Sequence, residues 1–164
     1  MDTNKKRHHI YLAGNISHDP RTYQWREDFT DQMKDVSKEV VIINPCSNRY
    51  NQTMNKANHK DGIEFAKEAV KKSQHILRAK DYQLIKICSL IVVNLELFSP
   101  EKPMIGTVQE LTWAKDIFYV PVIAITGRAE HIYTLHPWID ECCSAKVDTV
   151  EDAVEMVKDF FLEF

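Results

Sequence analysis

Glycine is scarce in this sequence, with four residues in 164. Neither a GxGxxG fingerprint nor a P-loop is present, and both need glycines where the backbone must approach a phosphate closely. NAD and ATP use are therefore not expected, and no dissociable cofactor is. Long apolar runs are missing too. Stretches such as Leu90 to Leu95 are far too short to cross a bilayer, and Met1 to His9 is polar with no signal-peptide core behind it. The expected setting is the cytoplasm, without a membrane partner. Charge of one sign is also lacking, since 21 basic and 24 acidic residues leave a net charge of −3. With no broad basic surface, a nucleic-acid polymer is not an expected partner. Cys46, Cys88, Cys142 and Cys143 form neither a CxxC pair nor a secreted disulfide framework. Even with His131 and His136 nearby, Cys142 and Cys143 lack the second pair of a zinc site, so ordinary thiols in a reducing compartment are expected and no metal.

What the chain does have is apolar material for one core: 44% of its residues are hydrophobic and 10% aromatic, within the size of one domain spanning residues 1–164. His8 to Ala13 is a short apolar strand ended by Gly14, and Val40 to Ile43 is a β-branched run ended by Asn44-Pro45. Between them Trp25, Phe29 and Met33 recur at helical spacing, predicting a helix over 23–36. Residues 44–60 read as a long polar loop, the kind that usually serves a function or moves. A mostly helical stretch follows over 61–87, with a break near Ala79 to Asp81. Strands over 90–95 and 121–125 enclose a helix over 106–117. After a loop running to about Trp138 come a small strand at 145–147 and a closing amphipathic helix over 150–164. Alternating strands and helices predict an α/β fold, a parallel sheet of about five strands with helices on both faces.

Ligands of such open sheets bind beyond the carboxyl ends of the strands, near the topological switch point. That rule selects the loops beginning at Gly14, Asn44, Glu96 and Thr126. The first strand and its loop read Tyr11-Leu12-Ala13-Gly14-Asn15-Ile16, with Trp25-Arg26 at helical range. This resembles the YLAGPI…WR opening of the nucleoside 2-deoxyribosyltransferase family, with Asn15 where proline is usual. The likeness continues through Asn44-Pro45, Arg49-Tyr50, Asp81 to Ile85 and Ile91-Val92-Val93-Asn94. It then covers Gly106-Thr107-Val108-Gln109-Glu110, Pro121-Val122, His136-Pro137-Trp138-Ile139 and the terminal helix. Nearly the whole chain is covered, and the shared order and spacing are more specific than any one motif.

The resemblance implies a flavodoxin-like (Rossmann-like) sheet and a double displacement at the anomeric carbon of a deoxynucleoside or deoxynucleoside monophosphate. Glu110 matches the family's nucleophile, which forms a deoxyribosyl ester that a free nucleobase or water then releases. Asp81 matches the aspartate that assists the departing base, and Tyr11 the tyrosine that orients the nucleophile. Gly14, Asn15, Arg49, Asn94, Gly106 and Thr107 are the expected substrate-binding residues. The family's assembled active sites, with the apolar terminal Phe160-Phe161-Leu162-Glu163-Phe164, point to a homo-oligomer. Well-studied relatives place an aspartate two residues before the glycine of the GT segment, where this chain has Met104. That departure favours hydrolysis or an altered base preference.

Several of these residues fit a second role. Thr107 to Glu110 also reads as the S/T-x-x-E capping box of a helix start. Asp81 fits a cap or a solvated charge, and Tyr11 a core aromatic with its hydroxyl at the sheet end. Arg21, Arg26 and Arg49 fit either a 5′-phosphate or solvent, and His136-Pro137-Trp138 either a cover for the base or a subunit interface. The competing function is a non-catalytic nucleotide-binding or sensing module, supported by Met104 and Asn15. Flavin carriers and phosphoacceptor receivers share the architecture. However, Gly14 to Thr22 lacks a dense Ser/Thr cradle, and no paired aspartates follow the first strand.

Overall fold

Alternation within the strands decides which side chains meet across the layers, because successive residues of a strand point to opposite faces. The computed structural model describes residues 7–17, 19–48, 51, 64, 67–68, 71, 76–97, 104–128 and 136–163. Five strands, β1 (His8–Gly14), β2 (Val40–Ile43), β3 (Leu90–Asn94), β4 (Val122–Ile125) and β5 (Ala145–Val147), form one sheet in the order β2-β1-β3-β4-β5. Every pairing is parallel, with Tyr11 opposite Ile43 on one side and Ile91 on the other, and Gly14 opposite Asn94. The order is the flavodoxin-like one, and its switch point lies between β1 and β3.

The central strands β3 and β4 are buried along their whole length, as a parallel sheet covered on both sides requires. Ile10, Leu12, Leu90, Val92, Ile123 and Ile125 share one face with Trp25, Phe29 and Met33. That face is covered by α1 (Arg21–Gln32) and α5 (Val150–Met156). Tyr11, Ala13, Ile91, Val93, Val122 and Ala124 share the other face. Here the cover is α2 (Ile76–Lys86), α3 (Ile105–Thr112) and α4 (Pro137–Cys142), through Ile85, Leu111 and Ile139. Tyr11 thus faces α2 and α3, one residue out of phase with Ile10 and Leu12.

The helix bounds differ from the sequence reading in instructive ways. α1 stops at Gln32 and gives way to a 3-10 turn over Lys34–Val36. α2 runs without a break through Ala79 to Asp81. α3 begins one residue early and passes into a π-helical turn, Trp113–Phe118, while α5 continues as a second π-helical turn, Val157–Phe161. The short α4 was not anticipated. Its signal was Pro137 at the first helical position, where proline's missing N–H costs nothing. Asn44 turns the chain after β2 as expected, its Oδ1 accepting the Cys46 N–H at 2.9 Å, while most of the polar stretch to Lys60 lies outside the described residues. No helix among the described residues is long and apolar enough to cross a membrane.

The π-helical turn after α3 ends on Tyr119, which adopts φ 55°, a left-handed conformation that disfavours any residue with a Cβ. Its side chain is 83% exposed, so little packing accompanies the strain. Tyr119→Gly is expected to raise stability by about 1 kcal/mol, read as a melting-temperature increase of about 2–4 °C. An unchanged or lower melting temperature would show that the tyrosine ring contributes more than its exposure implies.

Candidate active site

The face of the sheet that carries Tyr11 also receives Glu110 from α3. The Tyr11 hydroxyl donates to Glu110 Oε1 at 2.7 Å, joining strand and helix across the interior. Glu110 is 9% exposed, and no side chain caps the start of α3, whose N-cap position is Met104. The capping-box reading of Thr107 to Glu110 is thereby overturned. α3 starts two residues before Thr107, so this threonine lies inside the helix, and Glu110 turns inward to Tyr11. The chain does contain a T-x-x-acid box elsewhere: Thr149 Oγ1 accepts the Asp152 N–H, and Asp152 Oδ2 accepts the Thr149 N–H, both at 3.1 Å, at the start of α5.

Burial dominates the electrostatics. It pushes the Glu110 carboxyl from 4.5 up to about 7, against the opposing pull of the Tyr11 hydrogen bond. The negative charge of Asp81 adds to the rise, while Arg26 and Lys80 oppose it. Tyr11 is held far above its ordinary range by burial and then by the charge of Glu110, so it stays a donor. Asp81, on α2, is half-buried. Its Oδ1 is shielded from solvent and has no hydrogen-bond partner among the described residues, while the Lys80 ammonium forms an ion pair with it at 3.6 Å. Burial raises the Asp81 carboxyl, with Lys80 acting in the opposite direction.

Around this core the other expected residues take distinct places. Gly14 has φ 142°, where an L side chain is strained, and a Cβ there would stand 3.1 Å from the Asn94 carbonyl oxygen, so this position favours glycine. Asn15 is half-buried, with its carbonyl accepting from Arg26. Asn94 is buried, and its side-chain oxygen accepts the Glu96 N–H at 2.9 Å, turning the chain as it leaves β3. Gly106 is exposed and Thr107 buried in the first turn of α3. The first helical bond there runs from the Val108 N–H to the Met104 carbonyl, so the N–H groups just before it lack helical partners. Arg49 and His131 lie outside the described residues.

Of the other arginines, Arg21 is exposed and paired with Asp19 at 2.6 Å. Arg26 is wholly buried, its guanidinium bonded to backbone carbonyls. Sequence reasoning missed that burial, although Arg26 lies on the stripe formed by Thr22, Trp25 and Phe29 at helical spacing. It also missed Cys46 and Lys80. Cys46 is buried close enough to Arg26, Lys80, Glu110 and Asp81 for each charge to act on its thiol, whose ionisation burial opposes. Cys142 and Cys143 donate to the carbonyls of Trp138 and Ile139, and His136 Nδ1 accepts the Trp138 N–H at the start of α4. Among the described residues no group of three His, Cys, Asp or Glu is placed to hold a metal ion.

A cavity of about 460 Å3 opens between α3 and α4, lined by Val108, Leu111, Thr112, Trp138, Ile139 and Cys142 among others. None of Tyr11, Asp81 and Glu110 lines it, so the chemistry lies apart from this hollow.

Comparison with known proteins gives the fold. No family model matches the sequence, and no curated protein matches it. Among solved structures, the chain superposes on a conserved protein from Enterococcus faecalis V583 with a TM-score of 0.63 at 16% identity, covering 94% of this chain and 99% of that one. A 2-desoxiribosyltransferase from Leishmania mexicana is a more distant neighbour, with a TM-score of 0.46 at 21% identity, covering 72% of this chain and 63% of that one. The likeness to the Enterococcus protein shows that this chain shares its α/β fold.

Proposed function

We propose that this protein cleaves the N-glycosidic bond of a deoxynucleoside or deoxynucleotide, in the manner of a nucleoside 2-deoxyribosyltransferase, through a covalent deoxyribosyl-Glu110 intermediate. The observation that carries the reading is the buried Tyr11–Glu110 hydrogen bond beside a half-buried Asp81 whose Oδ1 has an ion pair with Lys80 but no hydrogen-bond partner among the described residues. A helix cap or surface charge needs none of these. Tyr11 holds Oε1, which leaves Oε2 to attack C1′ as the C1′–N bond breaks. The bonding pair leaves with the base, and Asp81, whose carboxyl burial raises above its ordinary value, gives a proton to the base nitrogen. In the second half, the Asp81 carboxylate takes a proton from the incoming nucleobase or water, which attacks C1′ and frees Glu110. Buried Met104 supplies no carboxylate to handle an incoming base, which favours water as the acceptor. A second copy of the chain remains the proposed protein partner, with Phe160 exposed while Phe161 and Leu162 pack on their own core. Light scattering reads that state. A purely binding module, the competing reading, would release no base from any deoxynucleoside or its monophosphate.

Glu110→Gln separates catalysis from folding. The amide keeps an acceptor for Tyr11 but cannot act as the nucleophile, so base release is expected to fall on the order of 10⁴-fold or more. Stability moves the other way. Because folded Glu110 binds its proton more tightly than the unfolded chain, its stabilising contribution is full below 4.5 and is lost as pH rises to about 7. That rise corresponds to about 3 kcal/mol, so Glu110→Gln is expected to be more stable than wild type at pH 8 by about 2–3 kcal/mol, with the difference vanishing near pH 4. Denaturant unfolding at both pH values checks this, and mass spectrometry of wild type trapped with a 2-fluoro deoxynucleoside locates the sugar. Near-wild-type turnover in the variant, or a sugar trapped elsewhere, would refute the assignment.

The same groups set the pH profile. An ionised Glu110 is required, so kcat/KM is expected to rise about tenfold per pH unit up to about 7 and then level off. Asp81→Asn is expected to slow poor leaving bases more than good ones. A uniform effect across bases of different acidity would assign Asp81 to binding or structure instead.

A further inference from the structure

We infer that Arg26 is a positioning residue of this site: backbone carbonyls hold its guanidinium at the end of β1, where it fixes the strand end carrying Tyr11 and sets a permanent positive charge against Glu110. Arg26 is 0% exposed. Its Nε donates to the Leu12 carbonyl at 3.3 Å, Nη2 to Gly14 at 3.0 Å, and Nη1 to Asn15 at 3.3 Å and to Thr22. Three of those acceptors belong to β1 and the residue after it, and the fourth to α1 itself. The guanidinium thereby joins the first helix to the first strand, with the Trp25 ring centroid 4.6 Å from its central carbon. Four hydrogen bonds nearly exhaust its five N–H donors, so Arg26 acts through its neighbours rather than on a substrate.

Burying a cation is strongly disfavoured unless an anion compensates it. Among the described residues no carboxylate is hydrogen-bonded to Arg26, and carbonyl dipoles carry no net charge. The groups that act on it through space are Cys46 after β2, Glu110 on α3, Tyr11 on β1 and Tyr23 on α1, and Glu110 is the carboxylate among them. Glu110 in turn faces Tyr11, Asp81 and Lys80 on α2, and Arg26. Asp81 opposes its ionisation, and Lys80 is 40% exposed, which leaves Arg26 as the buried cation favouring the carboxylate. Gly14 completes the arrangement, since its φ of 142° suits glycine and lets the strand end lie against the guanidinium without a side chain between them.

Two substitutions separate charge from geometry. Arg26→Gln removes the charge and keeps an amide donor, while Arg26→Lys keeps the charge and loses the fork. The readouts are the Glu110 titration, followed by carbon-13 NMR of carboxyl-labelled glutamate and assigned with Glu110→Gln, and the kinetics of base release. Arg26→Gln is expected to raise the Glu110 midpoint by about one pH unit and move the acid limb with it. Arg26→Lys is expected to hold the midpoint within about 0.3 pH unit while kcat falls about tenfold, as Tyr11 and Glu110 lose their alignment. An unmoved midpoint in Arg26→Gln, or wild-type kcat in Arg26→Lys, would overturn the inference. Should Arg26→Gln fail to fold, Arg26→Met, which also removes the charge, takes over the midpoint criterion, and Arg26→Lys keeps the kcat criterion. The kinetic arm rests on Glu110 being the nucleophile, but the titration does not. If no protein releases base, that function fails and the midpoint still decides the role of the Arg26 charge.

Discussion

A carboxyl group held inside a parallel sheet fold must be compensated on every side, and Glu110 is the point at which this chain meets that demand. Tyr11 bonds it from β1, while Arg26 and Lys80 oppose the cost of its burial and Asp81 adds to it. The balance leaves a side chain that changes charge near neutrality, where an ordinary glutamate would be ionised. Strand pairing, the docking of α2 and α3, and the close approach at Gly14 all bear on where these groups stand. The site therefore depends on the fold as a whole and on no single loop.

Much of the architecture was legible because its signals are local. β-branched and apolar runs bounded by Gly14 and Asn44-Pro45 gave β1 and β2, and the spacing of Trp25, Phe29 and Met33 gave α1. Periodicity could not reveal the short α4 or the two π-helical turns, because a six-residue helix has no room for it and a π turn differs from an α turn by where one hydrogen bond lands. Tyr11, Asp81 and Glu110 were singled out by resemblance. Spacing alone could not pair residues 11 and 110, whose hydrogen bond depends on which face of β1 meets α3.

The two T-x-x-acid segments show how far a short pattern reaches. At Thr149 the hydroxyl meets the backbone of a newly started helix, exposed to solvent, and both reciprocal bonds form. At Thr107 the helix has already begun and Thr107 and Glu110 are both buried, so the acid is drawn to an interior hydroxyl. Both segments carry the same pattern, but position within the helix and burial decide what each does. Arg26 teaches the complementary lesson. A charge on an apolar stripe reads as an error in amphipathicity, yet the open carbonyls at a strand end give it partners.

The alternation that places Tyr11 opposite Glu110 also sets how the chain can change length. Losing or gaining one residue between His8 and Tyr11 would leave an apolar strand able to pair with both neighbours, while carrying the tyrosine hydroxyl to the α1 and α5 side, away from its carboxylate. Fold and chemistry would part company without any change in composition. Descendants of such a sequence can therefore drift freely in what lies between the elements, whereas the count of residues along β1 is fixed by chemistry as much as by packing.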